Sequence, residues 1–166
     1  AASDARRGLS DHEPCVLAGR TAERNGAVVV ACEVREDGAV LLTRRALSKR
    51  TWPGVWTNAF CGHPRQGESL EEAISRHASG ELGLQVREVR PALPDFRYRA
   101  VDPSGIVENE VCPVYVARIA SPLDPSPAEV AEWSWTPIAE VRAALSATPF
   151  VFSPWMVEQL SGEIAG

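Results

Sequence analysis

Cys61 and His63 lie one glycine apart, with Pro64 next, inside the segment TWPGVWTNAFCGHPRQGES. That spacing sets a thiol beside an imidazole. Trp52 and Trp56 lie just upstream, and an acidic segment begins just downstream. A thiol can give or take a proton, and an aromatic face can stabilise a nearby cation. The combination suits chemistry that moves a proton and passes through a carbocation.

Two further groups of residues fit such chemistry. Glu108-Asn109-Glu110 lies in a predicted strand, where side chains at i and i+2 share a face. Two carboxylates so close repel, so one tends to hold a proton or both bind a cation. The stretch from Thr43 to Arg50 concentrates Arg44, Arg45, Lys49 and Arg50 in a chain of net charge -5. Arginine and lysine bind phosphate oxygens well, and Arg45 and Lys49 would suit a diphosphate.

The elements that must position these residues read as an α/β fold. Residues 27–34, AVVVACEV, are apolar and β-branched and predict a buried strand. Glu36-Asp37-Gly38 predicts a hairpin into a second strand at 39–45. A loop rich in Trp, Pro and Gly runs to about Arg65. A helix follows, with Ser69 as N-cap, Glu72 at the capping-box position, and Leu82-Gly83-Leu84 at its end. Strands are predicted at 94–101 and 106–118, joined by a turn at Asp102-Pro103-Ser104-Gly105. A proline-rich loop, a short alternating strand in AEWSWTP, and helices at 137–146 and 153–164 complete the chain. Strands interleaved with helices predict a mixed sheet between helical layers.

Composition bounds the function classes. The acidic balance argues against a nucleic-acid surface. The apolar run Ala27–Cys32 is far too short to span a membrane, and the first fourteen residues lack the apolar core of a signal peptide. Residues 1–16 are expected to be a disordered leader and residues 17–166 a single catalytic domain. None of Cys15, Cys32, Cys61 and Cys112 forms a C-x-x-C pair, so a zinc knuckle is not expected and reduced cysteines in a cytoplasm are. Cys32 and Cys112 sit in apolar runs and read as buried hydrophobes.

The helical segment fits a longer pattern. Gly62, five residues, Glu68, seven residues, Arg76 and then Glu81-Leu82-Gly83-Leu84 resemble the Nudix signature, G-x5-E-x7-R-E-U-x-E-E-x-G-U, where U is apolar. Its logic is a loop and helix presenting carboxylates to Mg²⁺ on a diphosphate. His77 and Gly80 replace two signature glutamates, which disfavours hydrolysis. With TRRALSK, TWPGVWTN, CGHP, PDFRYRA, DPSGIVENEVCPV and FSPWMV, residues 17–160 as a whole resemble type 1 isopentenyl diphosphate isomerases, a family of Nudix-like fold.

The resemblance implies interconversion of isopentenyl and dimethylallyl diphosphate by protonation and deprotonation. It makes Cys61 one acid/base group and Glu110 the opposing one, assisted by Tyr98, with the Trp155 ring against the cationic carbon. It gives the diphosphate to Arg45 and Lys49 and the Mg²⁺ that bridges to it to Glu81. It assigns a second divalent metal to His63, Glu108 and Glu110, with two more histidines from an N-terminal stretch. Here that stretch is LAGRTAERNGAVVV, where Arg20 replaces the first histidine and Gly26 or a neighbour the second. Only His12, His63 and His77 exist in the chain. The second site is therefore degenerate and expected to be empty or weakly filled. His77 also replaces an arginine that the family uses near the diphosphate. Two readings follow: an isomerase of the C5 diphosphates, or an isomerase-like terpene cyclase that protonates a larger prenyl diphosphate. In either, the partner is a small-molecule prenyl diphosphate, with no nucleic acid or membrane and an oligomeric state left open. A non-catalytic diphosphate-binding relic and a hydrolase are the remaining, less favoured readings.

Overall fold

The computed structural model describes residues 29–33 and 38–161. Strand β1 (Val29–Glu33) is central in a four-stranded sheet ordered β4-β1-β8-β5, with β4 at Phe60–Gly62, β5 at Val86–Leu93 and β8 at Val114–Ile119. It runs parallel to β8 and antiparallel to β4. Strand β2 (Ala39–Arg45) is central in an antiparallel sheet between β3 (Trp56–Asn58) and β9 (Val130–Pro137). Strands β6 (Arg97–Val101) and β7 (Val107–Val111) form a separate hairpin.

Helix α1 (Leu70–Leu82) covers one side of these sheets; α2 (Ile138–Ala147) and α3 (Pro154–Ser161) cover the other. The alternation in β2 shows why. Leu41 packs with Ile74, Ala78 and Leu82 of α1, whereas Val40 and Leu42 pack with Val141, Leu145, Met156 and Leu160 of α2 and α3. A strand covered on both faces needs apolar residues at consecutive positions, and AVLL supplies them. The α/β layout, with mixed sheet between helices, is the one the sequence predicts, though its strands divide into three sheets. Among the described residues no helix is long and apolar enough to cross a membrane.

Four expectations need correction. The hairpin between the first two strands does not form, because β1 and β2 belong to different sheets. Each is a central strand whose two edges are taken by other partners. The predicted strand 106–118 divides at Cys112-Pro113 into β7 and β8, since proline offers no N–H to continue a ladder. The loop rich in Trp, Pro and Gly contains β3 and β4, and β5 falls where no strand is predicted. The domain boundary expected at residue 16, together with Arg20 and Gly26, lies outside the described residues.

Helix α1 begins with the expected capping box: Glu72 N–H donates to Ser69 Oγ, and Ser69 N–H donates to Glu72 Oε2. It ends at Gly83 in the left-handed conformation, φ 63°, where an added Cβ would lie 2.4 Å from the Asp124 carbonyl. The loop before it is held by Glu68. Arg76 donates from Nε and Nη2 to the two Glu68 oxygens at 2.7 Å, and Arg65 N–H donates to Glu68 Oε2 at 2.7 Å. Two signature residues eight positions apart thus clamp loop to helix.

The hydrogen bonds from Arg76, then that from Arg65, lower the Glu68 carboxyl from 4.5 to about 2. A carboxyl depressed in the folded state stabilises the fold above its unfolded pKa and loses that contribution as pH falls toward the folded one. Glu68→Gln should lower the melting temperature by several degrees at neutral pH. The difference from the parent protein should shrink below about pH 4.5 and close near pH 2. Thermal melts across that range check it; a difference independent of pH would assign the loss to something other than the Glu68 charge.

Candidate active site

The Cys61 position follows from strand pairing. Val30 opposes Cys61 and Val29 opposes Gly62, so β4 extends the sheet edge and ends where His63 leaves it. Cys61 packs against a core that includes Trp52, Tyr98, Cys112 and Trp155. The three aromatic residues form a box. Trp52 meets Trp155 edge-on with centroids 5.5 Å apart, and Tyr98 tilts against Trp155 at the same separation. Phe96 stacks on Tyr98 at 6.3 Å.

Trp155 arrives on α3, whose start is tied down by buried polar contacts. Ser153 N–H donates to the Trp56 carbonyl at 2.8 Å, the Ser153 and Thr57 hydroxyls lie 2.8 Å apart, and Asn58 Nδ2 donates to Gln159 Oε1 at 2.7 Å. Buried polar groups need such partners, and here their pairing fixes α3 against β3.

Burial raises the Cys61 thiol pKa from 9.0 to about 11, helped by the negative charges of Glu81 and Glu108 and opposed by Arg45 and Lys49. The residue keeps some solvent exposure, yet the thiol is enclosed enough for desolvation to dominate. Cys61 is accordingly a protonated acid at neutral pH.

Glu108 and Glu110 share a face of β7 as expected, but with different partners. Tyr98 Oη donates to Glu108 Oε2 at 2.7 Å, and Glu110 Oε2 lies 3.3 Å from His63 Nε2. The expectation that Tyr98 assists Glu110 is therefore not met in this geometry. Tyr98 is directly opposite Glu110 in the hairpin register, but the long phenol leans along the strand to the diagonal neighbour, Glu108. Burial and the Glu108 contact both push the Tyr98 phenol upward, so it stays a donor. Among the described residues, no three His, Cys, Asp or Glu side chains are grouped so that they could hold a metal ion.

Arg45 and Lys49 already have partners. Arg45 Nε donates to the carbonyls of Thr51 and Trp52 at 3.3 and 3.1 Å, and Nη2 donates to the Thr51 carbonyl at 2.9 Å. Its Cζ lies 5.5 Å from the Trp155 ring centroid. Lys49 pairs with Glu129, just before β9.

His77 braces Glu81. Its Nδ1 lies 2.8 Å from Glu81 Oε1, one helical turn on, and its Nε2 lies 3.2 Å from the His63 carbonyl. The Glu81 hydrogen bond, chiefly, raises the His77 pKa, while burial and the Arg76 charge oppose it. Protonated, the ring donates to both oxygens and ties α1 to the Cys61 strand. Gly62 makes this possible, since a Cβ there would lie 1.9 Å from the ring. The sequence marks His77 only as a replacement and gives no sign of this brace. It also leaves Asp102 unnoticed inside a turn, although the Asp102 carboxylate accepts the Trp52 N–H from fifty residues away.

A family model for the NUDIX domain matches residues 23–156. An isopentenyl-diphosphate Delta-isomerase of Brevibacterium linens is 58% identical over 128 residues, covering 77% of this chain and 70% of the relative. One of Citrobacter koseri is 57% identical over 129 residues, covering 78% and 71%. Among solved structures, DR0079 from Deinococcus radiodurans superposes with a TM-score of 0.65 at 22% identity, covering 92% of this chain and 88% of that one. A MutT protein from Methanosarcina mazei Go1 gives 0.63 at 20% identity, covering 81% and 89%. At such identities these structures share the fold alone.

The enclosure of Cys61 has a direct readout. Only a thiolate is alkylated, so reaction of iodoacetamide with Cys61, followed by peptide mass spectrometry, should rise with a midpoint at about pH 11. Removing a nearby negative charge with Glu81→Gln should move that midpoint down. A midpoint near the ordinary thiol value of about 8.5 would contradict the burial argument.

Proposed function

The chain belongs to the Nudix family and, within it, to the isopentenyl-diphosphate Delta-isomerases, and from that premise we propose that it interconverts isopentenyl and dimethylallyl diphosphate. The observation that carries the chemistry is a thiol kept protonated by burial and packed into a core with three aromatic residues. In the reaction, the Cys61 thiol donates its proton to the terminal alkene carbon. The positive charge forms on the neighbouring tertiary carbon, where the Trp155 face stabilises it. Glu110, as carboxylate, takes a proton from the adjacent carbon, and the double bond re-forms one position along. One proton enters and one leaves, so substrate and product are isomers. Cys61 ends as thiolate and Glu110 as acid, and proton exchange with water or the reverse reaction resets them. Glu108, fixed by Tyr98, keeps a second negative charge near the cation.

Arg45 grips the diphosphate, with Lys49 joining it as Glu129 yields. Glu81 suits Mg²⁺, since it is a hard oxygen donor whose Oε1 is oriented by His77. Bound there with the diphosphate, Mg²⁺ would offset the charge of the phosphate oxygens. The second divalent site does not fit this chain. Glu108 is engaged by Tyr98 and Glu110 by His63, the described residues bring no three ligands together, and the sequence holds only three histidines. No observation favours a cyclase acting on larger substrates. The substrate is a small molecule, and the unoxidised thiol of Cys61 suits a reducing cytoplasm.

Kinetics on isopentenyl diphosphate test the assignment. Cys61→Ala and Glu110→Gln should each lower turnover by about 100-fold or more, the scale of a lost acid or base. EDTA should stop the parent enzyme, and Mg²⁺ alone should restore it. If both variants keep near-parent turnover, the acid/base roles belong elsewhere; full activity in EDTA would remove the metal from the account.

A further inference from the structure

Trp52 holds a backbone conformation that its side chain disfavours. Its φ is 42°, in the left-handed region, where a bulky residue is a genuine outlier. Pro53 follows, and a residue before proline is pushed toward extended conformations. The ring is nevertheless buried, 6% exposed, and sits edge-on to Trp155. Strain of this kind persists only where the surroundings over-determine it.

Asp102 supplies that constraint. Its Oδ2 accepts the Trp52 N–H at 2.7 Å, and its Oδ1 accepts the Ser104 N–H at 2.7 Å. The aspartate is itself 4% exposed. Its own backbone is fixed in the β6–β7 turn: Asp102 N–H donates to the Ile106 carbonyl and Gly105 N–H to the Asp102 carbonyl, each at 2.8 Å. Hydrogen bonds from Ser104, then Trp52, and the charge of Arg45 hold the Asp102 carboxyl below its ordinary range, so it is ionised at neutral pH.

The N–H that Asp102 accepts and the Thr51 carbonyl that Arg45 grips belong to one peptide plane. An anion therefore sits at the N–H end of that peptide and a cation at its C=O end. Each polarises the peptide in favour of the other. The next carbonyl, that of Trp52, takes a further hydrogen bond from Arg45 Nε. These contacts use Nε and Nη2, and among the described residues no hydrogen bond takes the Nη1 edge, which can meet an anion.

We propose that Asp102 is a positioning residue for diphosphate capture: by holding the Trp52 N–H it orients the Thr51–Trp52 peptide, whose carbonyl seats the Arg45 guanidinium beside Trp155. This rests on the reading that Arg45 grips the diphosphate. Without the carboxylate, Trp52 relaxes toward an ordinary backbone conformation. The Thr51 carbonyl then turns from Arg45, and the cation leaves its seat. The β6–β7 hairpin, which carries Tyr98, Glu108 and Glu110, is in this way coupled to the loop that binds the other end of the substrate.

The test uses inorganic pyrophosphate with Mg²⁺ as probe, measured by calorimetry, in the full chain and in three variants. Asp102→Ala removes both acceptors, and Asp102→Asn keeps the shape and one neutral acceptor. Gly105→Ala strains the same turn at φ 91°, in open space, and keeps the Asp102 carboxylate. Asp102→Ala should weaken pyrophosphate binding on the order of 10-fold. It should also raise KM for isopentenyl diphosphate more than it lowers kcat, and change the near-ultraviolet circular dichroism of the Trp52–Trp155 pair. Asp102→Asn should fall between, and serves as the probe if the alanine variant does not fold. Gly105→Ala should lower the melting temperature with little change in binding. Unchanged binding in a folded Asp102 variant overturns the proposal, as does equal weakening in Gly105→Ala or a parent protein that does not bind pyrophosphate. Because the binding readout needs no turnover, a protein that fails to isomerise yet loses pyrophosphate on Asp102 substitution would refute the proposed activity and keep the positioning role.

Discussion

Enclosure of the Cys61 thiol in the core that contains Trp52, Tyr98 and Trp155 is the constraint from which the rest of the site follows. A thiol in water is partly ionised near neutral pH and acts as a nucleophile. Desolvated and facing the negative charges of Glu81 and Glu108, this one keeps its proton, with a pKa of about 11. An alkene is a weak base and needs an acid placed against it in a dry, cation-tolerant box. In the proposed reaction the aromatic residues would supply both the dryness and the π faces. They do so because α3 and β6 bring Trp155 and Tyr98 into the core against which Cys61 packs.

The closure depends on polar contacts at its edges. Ser153, Thr57, Asn58 and Gln159 form a buried network that fixes the start of α3 on β3, and so fixes Trp155. Asp102 ties the hairpin turn to Trp52. Glu68 with Arg76, and His77 with Glu81, tie α1 to the strand that ends at Gly62. These braces pair buried polar and charged groups with side-chain or backbone partners, the condition under which burial of such groups is tolerated. The signature positions of α1 therefore work partly as mechanical links between loop and helix.

Much of this was legible in the sequence, and the gaps have physical reasons. The capping box at Ser69 and Glu72 and the left-handed Gly83 are local features, settled by residues within one turn, and they stand where expected. The pairing of β1 and β2 is non-local. Glu36-Asp37-Gly38 has hairpin chemistry, but β1 and β2 each take two other neighbours. The residue types at the site were readable from Cys61-Gly62-His63 and Glu108-Asn109-Glu110, because alternation along a strand fixes which side chains share a face. Which carboxylate meets Tyr98 was not, since that depends on how a long ring leans across the hairpin. Asp102 could not be distinguished from an ordinary turn aspartate, because its partner lies fifty residues away.

The central claim is that this chain protonates and deprotonates a C5 diphosphate. The most direct measurement is incubation of the full chain with isopentenyl diphosphate and Mg²⁺ in deuterium oxide, followed by mass spectrometry and deuterium NMR of the recovered diphosphates. The account predicts dimethylallyl diphosphate carrying deuterium in a methyl group. No isomerised C5 product, with C10 or C15 diphosphates turned over instead to rearranged or cyclic products, would contradict it.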